Sequence, residues 1–451
     1  MNRSRSKIII FFMLLFMSIS LFGCGSGSNG DEESERIDIK VVEESLYGHA
    51  LTGSLELEYA KEYSVSFYEG GLTLITVGED RFLLLDDELQ DGDKEDASTQ
   101  INDELNNDDP NNDKSNDEPV SVSHDNGSVN NTTLPEEAVR DEKDGKLVIL
   151  RKPLKNIYVA SSSVLDFFDV LDALDMVTMT STKAEDWSID KIKKLVEDDE
   201  ISYVGKYSMP DYEYILDDEC SLAIENQMIY HSPETKEKLE ALGIPVLVER
   251  SSLEENLLGR MEWIKLYGVL TGRLDEAEEV FEDQQEMMKG IEDSVRTDQD
   301  KQENSNSEIK AVLFYINASG IPSVRNPGDY MVDLIKIAGA EYTFDELAGD
   351  SSKTYINIQM EEFYAQGADT DVMIYNSNFG AAPETTDDLV KQDAILADFK
   401  AVKNKNVWCY SQDSYQQPTK LPEMALEMYK IFKFVRCGGD EPELVYFYRL
   451  K

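Results

Sequence analysis

The chain reads as an α/β protein made of two lobes with a long helical segment between them. Three observations predict this. Strand-like apolar runs alternate with helical stretches over 153–248, and the alternation restarts at Ile309. Between the two series, 253–270 and 274–296 carry helical patterns broken only at Thr271-Gly272. A length of 451 residues with 41% hydrophobic side chains suffices for two or three domains with real cores.

The N-terminus is basic at Arg3, Arg5 and Lys7, apolar over 8–22, and then reads Leu21-Phe22-Gly23-Cys24. The apolar run falls short of the roughly 20 residues that span a bilayer. A small residue before a cysteine suits a cleaved signal peptide, 1–23, that leaves Cys24 as a lipid-bearing first residue. The competing assignment is an uncleaved anchor. Residues 24–54 are expected to be a tether, rich at first in Gly, Ser and acids.

The N-terminal lobe is assigned to 55–252. Its first part holds short β-like runs, with Tyr63-Ser64-Val65-Ser66-Phe67-Tyr68 alternating at period two and Gly70-Gly71 marking a turn. Residues 91–144 are rich in Asn, Asp, Ser and Glu and almost free of large apolar side chains. Such a stretch cannot offset its ordering entropy, so a disordered acidic insert is expected there.

From Asn156 the pattern is strand then helix. Ser161-Ser162-Ser163 is a candidate N-cap for an amphipathic helix, and helices are expected at 188–197 and 233–242, with strands at 221–224 and 244–248. Residues 253–302 form the helical linker, with 297–307 as a polar loop. In the C-terminal lobe, 303–451, strands are expected at 309–316, 371–375 and 407–410, and helices at 329–338, 360–366, 393–399 and 422–435.

The net charge of −48 argues against nucleic acid and anionic lipid as partners and gives a solvated acidic surface. Cys220, Cys409 and Cys437 are odd in number and lack CxxC spacing, which argues against a disulfide framework or a zinc site; Cys220 and Cys409 lie beside apolar strand-like runs and are expected to be buried thiols. With His49, His124 and His231 as the only imidazoles, capture of a bare transition metal is disfavoured and no metal site is assigned. Nucleophile-elbow, zinc-protease and phosphate-loop motifs are absent, which leaves no catalytic residue to assign.

What stands out is the aromatic and cationic content near strand ends. Lys206, Tyr207, Tyr230, His231, Arg325, Tyr375, Tyr410 and Tyr415 fall where loops face a crevice between lobes, the usual ligand position in open α/β sheets. Arg260 joins them as a candidate, with pairing to acids of its own helix as the alternative. Such groups suit a bulky, planar or anionic ligand.

Four stretches carry a resemblance. They are Val204-Gly205-Lys206-Tyr207-Ser208-Met209-Pro210-Asp211-Tyr212-Glu213, then Ala223-Ile224-Glu225-Asn226-Gln227-Met228-Ile229-Tyr230-His231, then Leu258-Gly259-Arg260-Met261-Glu262-Trp263-Ile264-Lys265, and Arg325-Asn326-Pro327-Gly328-Asp329-Tyr330. In that order, behind a lipobox and around a central helix, the chain resembles the solute-binding lipoproteins of ABC importers for iron–siderophores, haem and cobalamin. The resemblance implies a class III periplasmic-binding-protein-like fold, in which two Rossmann-like lobes are bridged by one long α-helix and enclose a ligand cleft. The matching helix here is 274–296.

The resemblance also implies that the protein binds without catalysing. It would be a monomer with no cofactor of its own, lipid-anchored outside the cytoplasm, handing a metal chelate to the transmembrane subunits of a permease. One glutamate per lobe docks that permease. The first, in a Pro-x-x-Glu pattern, maps to Glu213 of Pro210-Asp211-Tyr212-Glu213. The second normally follows Ser-x-Glu; here Gln359-Met360-Glu361-Glu362 has Gln in place of Ser, and Glu361 and Glu362 both remain candidates, with Glu361 preferred. A carboxylate meeting Arg in a two-pronged pair fixes orientation as well as adding energy. The alternatives are an extracytoplasmic enzyme, a chelatase or hydrolase using His231, and a sensory lipoprotein.

Overall fold

Three sheets succeed one another along the chain in the computed structural model, which describes residues 44–86, 138, 141, 147–254, 256–300, 308–348, 353–377, 382–410 and 415–451. The expected signal peptide, Cys24 and most of the acidic insert lie outside the described residues.

The first sheet has six strands in sequential order: β1 (Ser45–Leu46), β2 (His49–Ser54), β3 (Tyr63–Tyr68), β4 (Leu72–Val77), β5 (Asp80–Leu85) and β6 (Val148–Arg151). Gly70 and Gly71 take φ of +79° and +74°, the left-handed turn that lets β3 reverse into β4. The stretch read as tether over 24–54 therefore ends in strands, because Ser45 and His49 begin paired backbone. Within the N-terminal lobe expected over 55–252, residues 63–85 belong to this separate sheet. β2 to β5 pair antiparallel with one another, β6 adds to β5 in parallel after the long insert, and none of them pairs with the sheet that follows. At the end of the acidic insert, Ala138 is wholly buried with Leu46, Leu83 and Leu147, and the Tyr47 hydroxyl donates to Asp141 at 2.8 Å.

The second sheet is parallel: β7 (Ile157–Val159), β8 (Val177–Thr180), β9 (Ser202–Tyr203), β12 (Ala223–Glu225) and β13 (Val246–Val248), in the order β13-β12-β7-β8-β9. A small hairpin of β10 (Gly205–Lys206) and β11 (Met209–Pro210) follows β9. Its helices are α1 (Val164–Val170), α2 (Asp190–Glu197), α3 (Tyr212–Asp217) and α4 (Pro233–Ala241). Ser163 precedes α1 as expected but makes no side-chain cap bond. The strand order reverses at β7 and β12, the place where such sheets open toward a ligand.

The linker begins with α5 (Leu257–Glu262) and α6 (Ile264–Thr271), a broken pair rather than one helix over 253–270. Then α7 (Leu274–Asp300) runs 27 residues, about 40 Å, past the loop expected from Thr297. Gly272, at φ +74°, ends α6 in the left-handed conformation that glycine accepts without strain. Gly268 lets α6 cross α7 closely: a Cβ there would sit 2.6 Å from the Ala277 Cβ and 2.9 Å from the Arg273 carbonyl oxygen.

The third sheet gathers β14 (Ile309–Ile316), β15 (Pro322–Arg325), β16 (Ala340–Tyr342), β17 (Tyr355–Asn357), β18 (Val372–Asn376), β19 (Val407–Tyr410) and β20 (Phe447–Arg449). β14, β18 and β19 run parallel; β15, β17 and β20 add antiparallel pairings. Around it lie α8 (Tyr330–Ile337), α9 (Met360–Gly367), α10 (Thr386–Gln392), α11 (Lys400–Lys403) and the closing helix α12 (Leu421–Cys437). The helix expected over 393–399 is a 3-10 turn, Ala394–Asp398. The α-helix precedes it, opened by a capping box between Thr385 and Asp388.

The first sheet is bolted to the linker by two buried carboxylates. Glu262 accepts the backbone N–H groups of Glu58, Tyr59 and Ala60 at 3.0, 2.8 and 2.8 Å and the Lys265 ammonium at 2.9 Å. Glu254 accepts from the Lys61 and Glu62 amides at 3.0 Å and from the Trp263 indole at 2.9 Å. Five consecutive amides thus satisfy two charges that would otherwise be costly to bury. One apolar cluster runs through the linker into both lobes; in it Phe167 of α1 stacks on Tyr267 of α6 at 5.0 Å and Phe281 of α7 is buried. No helix among the described residues is long and apolar enough to cross a membrane.

Candidate functional site between the lobes

The β14–β15 hairpin brings Arg325 to the end of its strand, beside the first turn of α8. Asp329 caps α8 by accepting the Met331 amide at 2.8 Å, and the same oxygen takes Arg325 Nε at 2.7 Å. Arg325 Nη1 donates to the Tyr355 hydroxyl at 2.9 Å. That hydroxyl also receives the Asn376 amide at the end of β18. Tyr342 donates its hydroxyl to the Arg325 carbonyl oxygen. Burial alone would push the guanidinium pKa down. The Asp329 carboxylate outweighs it and holds the group well above its ordinary value. Tyr410, at the end of β19, is pushed well up by burial and then by the neighbouring Tyr355 phenol.

Arg260 approaches from the linker. It projects from α5, is 6% exposed, and places its guanidinium carbon 4.4 Å from the Tyr330 ring centre. Arg325 lies 5.5 Å from the same ring. The two cations differ in one respect. Arg325 has Asp329, whereas Arg260 has no ion pair among the described residues and its buried Nε has no acceptor. Glu249, at the end of β13, feels the Arg260 charge, but burial raises its pKa and one of its oxygens is taken by the Ser251 amide at 2.7 Å. A buried guanidinium edge stacked on a phenol and short of an acceptor has the chemistry to pair with an anionic, planar group.

The lobes also meet at the turn before α12. Gln416 Oε1 accepts the Ser188 amide at 2.9 Å and its hydroxyl at 2.5 Å, and Gln416 Nε2 donates to the Asp186 carbonyl at 3.0 Å. The Thr419 amide donates to Asp166 of α1 at 2.8 Å, and the Thr419 carbonyl accepts Gln284 Nε2 of α7 at 2.9 Å.

Of the residues expected from sequence, Arg260 and Arg325 share the Tyr330 ring, and Tyr410 lies beside Tyr355 in the same cluster. Tyr415 is half-exposed next to Gln416, to which its hydroxyl is bonded at 3.3 Å. Tyr375 is a core residue. It is 1% exposed, packs edge-on against Phe314 at 5.3 Å, and its hydroxyl lies within 3.4 Å of the Ile316 amide and Gln392 Oε1. Lys206 is exposed on the β10–β11 hairpin, and Tyr207 packs against the apolar cluster of the first lobe. Tyr230 is exposed beside Arg250. His231 is exposed, and no Ser, Thr or Cys among the described residues hydrogen-bonds to it. Tyr330, Tyr355, Asp166 and Gln416 were not singled out from sequence. The Asp-Tyr step that opens α8 in Asn326-Pro327-Gly328-Asp329-Tyr330 was a usable signal for Tyr330.

The expected docking residues lie on two short helices. Glu213 is exposed in the first turn of α3, whose cap Asp211 accepts the Tyr214 amide at 3.1 Å. Glu361 and Glu362 are exposed in the first turn of α9, and Glu362 accepts Gln366 Nε2 at 3.1 Å. Gln359, where a serine was expected, makes no side-chain cap bond. Cys220 and Cys409 are unbridged thiols among the described residues, half-buried and buried, whereas Cys437 is exposed at the end of α12. Burial pushes Cys220 up to about 11 and Cys409 up to about 12.

Comparison with known proteins agrees with this architecture. The uncharacterized lipoprotein MJ0872 of Methanocaldococcus jannaschii is 25% identical over 68% of this chain and 76% of its own. The uncharacterized protein MJ0642 of the same organism is 26% identical over 68% of this chain and 91% of its own. A crystal structure of a periplasmic binding protein from Veillonella parvula superposes with a TM-score of 0.50 at 16% identity, over 62% of this chain and 92% of the other. The sequence profile of the periplasmic binding proteins matches residues 147–413, from β6 through both lobes. With two α/β lobes, a bridging helix and that match over more than half its length, the chain belongs to the periplasmic binding protein family, whose members bind solutes and are not enzymes.

Proposed function

We propose that the protein is the solute receptor of an ABC importer, held outside the cytoplasm by lipid on Cys24. It captures a metal chelate (a ferric siderophore, haem or cobalamin) between its lobes. The solute is handed over unchanged to a permease that recognises Glu213 on one lobe and Glu361 or Glu362 on the other. The observation that carries this reading is Arg260, a buried cation without an ion pair among the described residues, stacked on Tyr330 where linker and second lobe meet, in a protein of net charge −48. Such a group favours an anionic partner that brings its own flat surface. The lipobox, and the description of the M. jannaschii relative MJ0872 as a lipoprotein, support the anchored location.

The test is calorimetry of the full chain against haem, cobalamin and a panel of ferric siderophores. Saturable one-to-one binding of one class is expected. Failure to bind any of them overturns the reading.

A further inference from the structure

The turn 416–419 joins the lobes through bonds of two kinds. Those of Gln416 to Ser188 and Asp186 link neutral groups. The bond from the Thr419 amide ends on an ionisable carboxyl, Asp166, which is 4% exposed and belongs to the opposite lobe. If the lobes part, that carboxyl is returned to water.

The charges facing it are few. Asp169, on the same helix, is engaged by Lys191 at 2.5 Å. Lys420, from the turn, is held by Glu423 at 3.1 Å. From α6 comes Tyr267, a buried neutral phenol stacked on Phe167, and α7 presents the amide of Gln284. Burial is the largest influence on Asp166. It outweighs the Thr419 amide and the Lys420 charge and raises the carboxyl to about 6. A carboxyl that is harder to ionise in the shut seam must take up a proton as the seam shuts.

We propose that Asp166 makes the seam between the lobes proton-responsive: they are held together more firmly when its carboxyl is protonated and part more readily once it ionises. This goes beyond the transport reading and does not depend on which solute is bound. The sign follows from the geometry: Asp166 is 4% exposed in the shut seam and has no ion pair among the described residues, so its charged form gains from being returned to water. A carboxyl raised from its ordinary value adds firmness that is complete in acid and is lost as pH rises toward neutrality. The pocket then opens more often at neutral pH than in acid.

Hydrogen exchange on the ligand-free full chain between pH 4.5 and 7.5, corrected for the chemical exchange rate, tests this. The amides of Thr419 and Ser188 report the two halves of the seam. Both are expected to lose protection together as pH rises, by roughly 25-fold across this range for a shift of this size. Asp166→Asn should abolish the slope and hold the acid-like protection throughout. A flat wild-type profile overturns the proposal, and so does loosening of Thr419 without Ser188 or an unchanged slope in Asp166→Asn. Should that variant fail to fold, Lys420→Met removes a cation that favours ionisation and moves the wild-type midpoint to higher pH; a midpoint that stays in place overturns the proposal.

Discussion

The guanidinium of Arg260 lies 4.4 Å from the centre of the Tyr330 ring, so a helix that follows the first lobe is stacked on the opening turn of a helix in the second. The contact leaves Nε buried without an acceptor, a cost the fold alone does not explain.

Arg260→Gln should therefore separate binding from folding. An unmade charge-assisted bond to the solute is worth about 1.5–3 kcal/mol, so affinity for whichever chelate the wild type binds should fall roughly 10- to 100-fold. The urea midpoint should change little, since losing the stack on Tyr330 is offset by removing a buried cation that has no ion pair among the described residues. Calorimetry and urea unfolding on the same variant check both parts.

The glutamates proposed to dock the permease should give the opposite split. Glu213→Arg and Glu361→Arg place a cation where a permease arginine is expected, and like charges at an interface cost several kcal/mol. Uptake by cells or proteoliposomes carrying the cognate permease should drop more than tenfold while the dissociation constant for the solute is unchanged. Both glutamates are exposed, which leaves folding unaffected.

Glu225 should make stability fall with rising pH. It ends β12 fully buried, with no hydrogen-bond partner for either carboxylate oxygen among the described residues, and burial raises it to about 8. Its neutral form is the one the fold holds. Stability is complete below the ordinary carboxylate value and is lost as pH rises through 8. Between pH 6 and 9 the loss should reach roughly 2–3 kcal/mol. Glu225→Gln should flatten that part of the profile, read as urea midpoints across pH.

Glu262 should be the costliest carboxylate to delete. Glu262→Ala leaves the amides of Glu58, Tyr59 and Ala60 without their acceptor and should cost about 3–5 kcal/mol by chemical denaturation. Glu262→Gln keeps one acceptor oxygen and should cost less.

The lobes and the bridge were legible because their signals are local. Apolar runs of strand length, the stop at Gly243 and the break at Thr271-Gly272 all lie where the structure turns. The first sheet was legible as hairpins but not as a separate layer, since nothing local says whether Tyr63–Tyr68 joins β7 or stands apart from it. Tyr375 misled because a strand-end tyrosine looks the same in sequence whether its ring faces a crevice or Phe314. Asp166 and Thr419 were invisible for a related reason. They are 253 positions apart, and each alone is an ordinary helix-terminal residue.

The glutamate clamp bears on how this protein should be handled. The region shared with its family starts at residue 147, whereas the amides that neutralise Glu254 and Glu262 come from 58–62. Expressing only the shared region would strand two anions inside the linker. Such a trimmed version should misfold, whereas one beginning at the first strand should behave like the intact receptor.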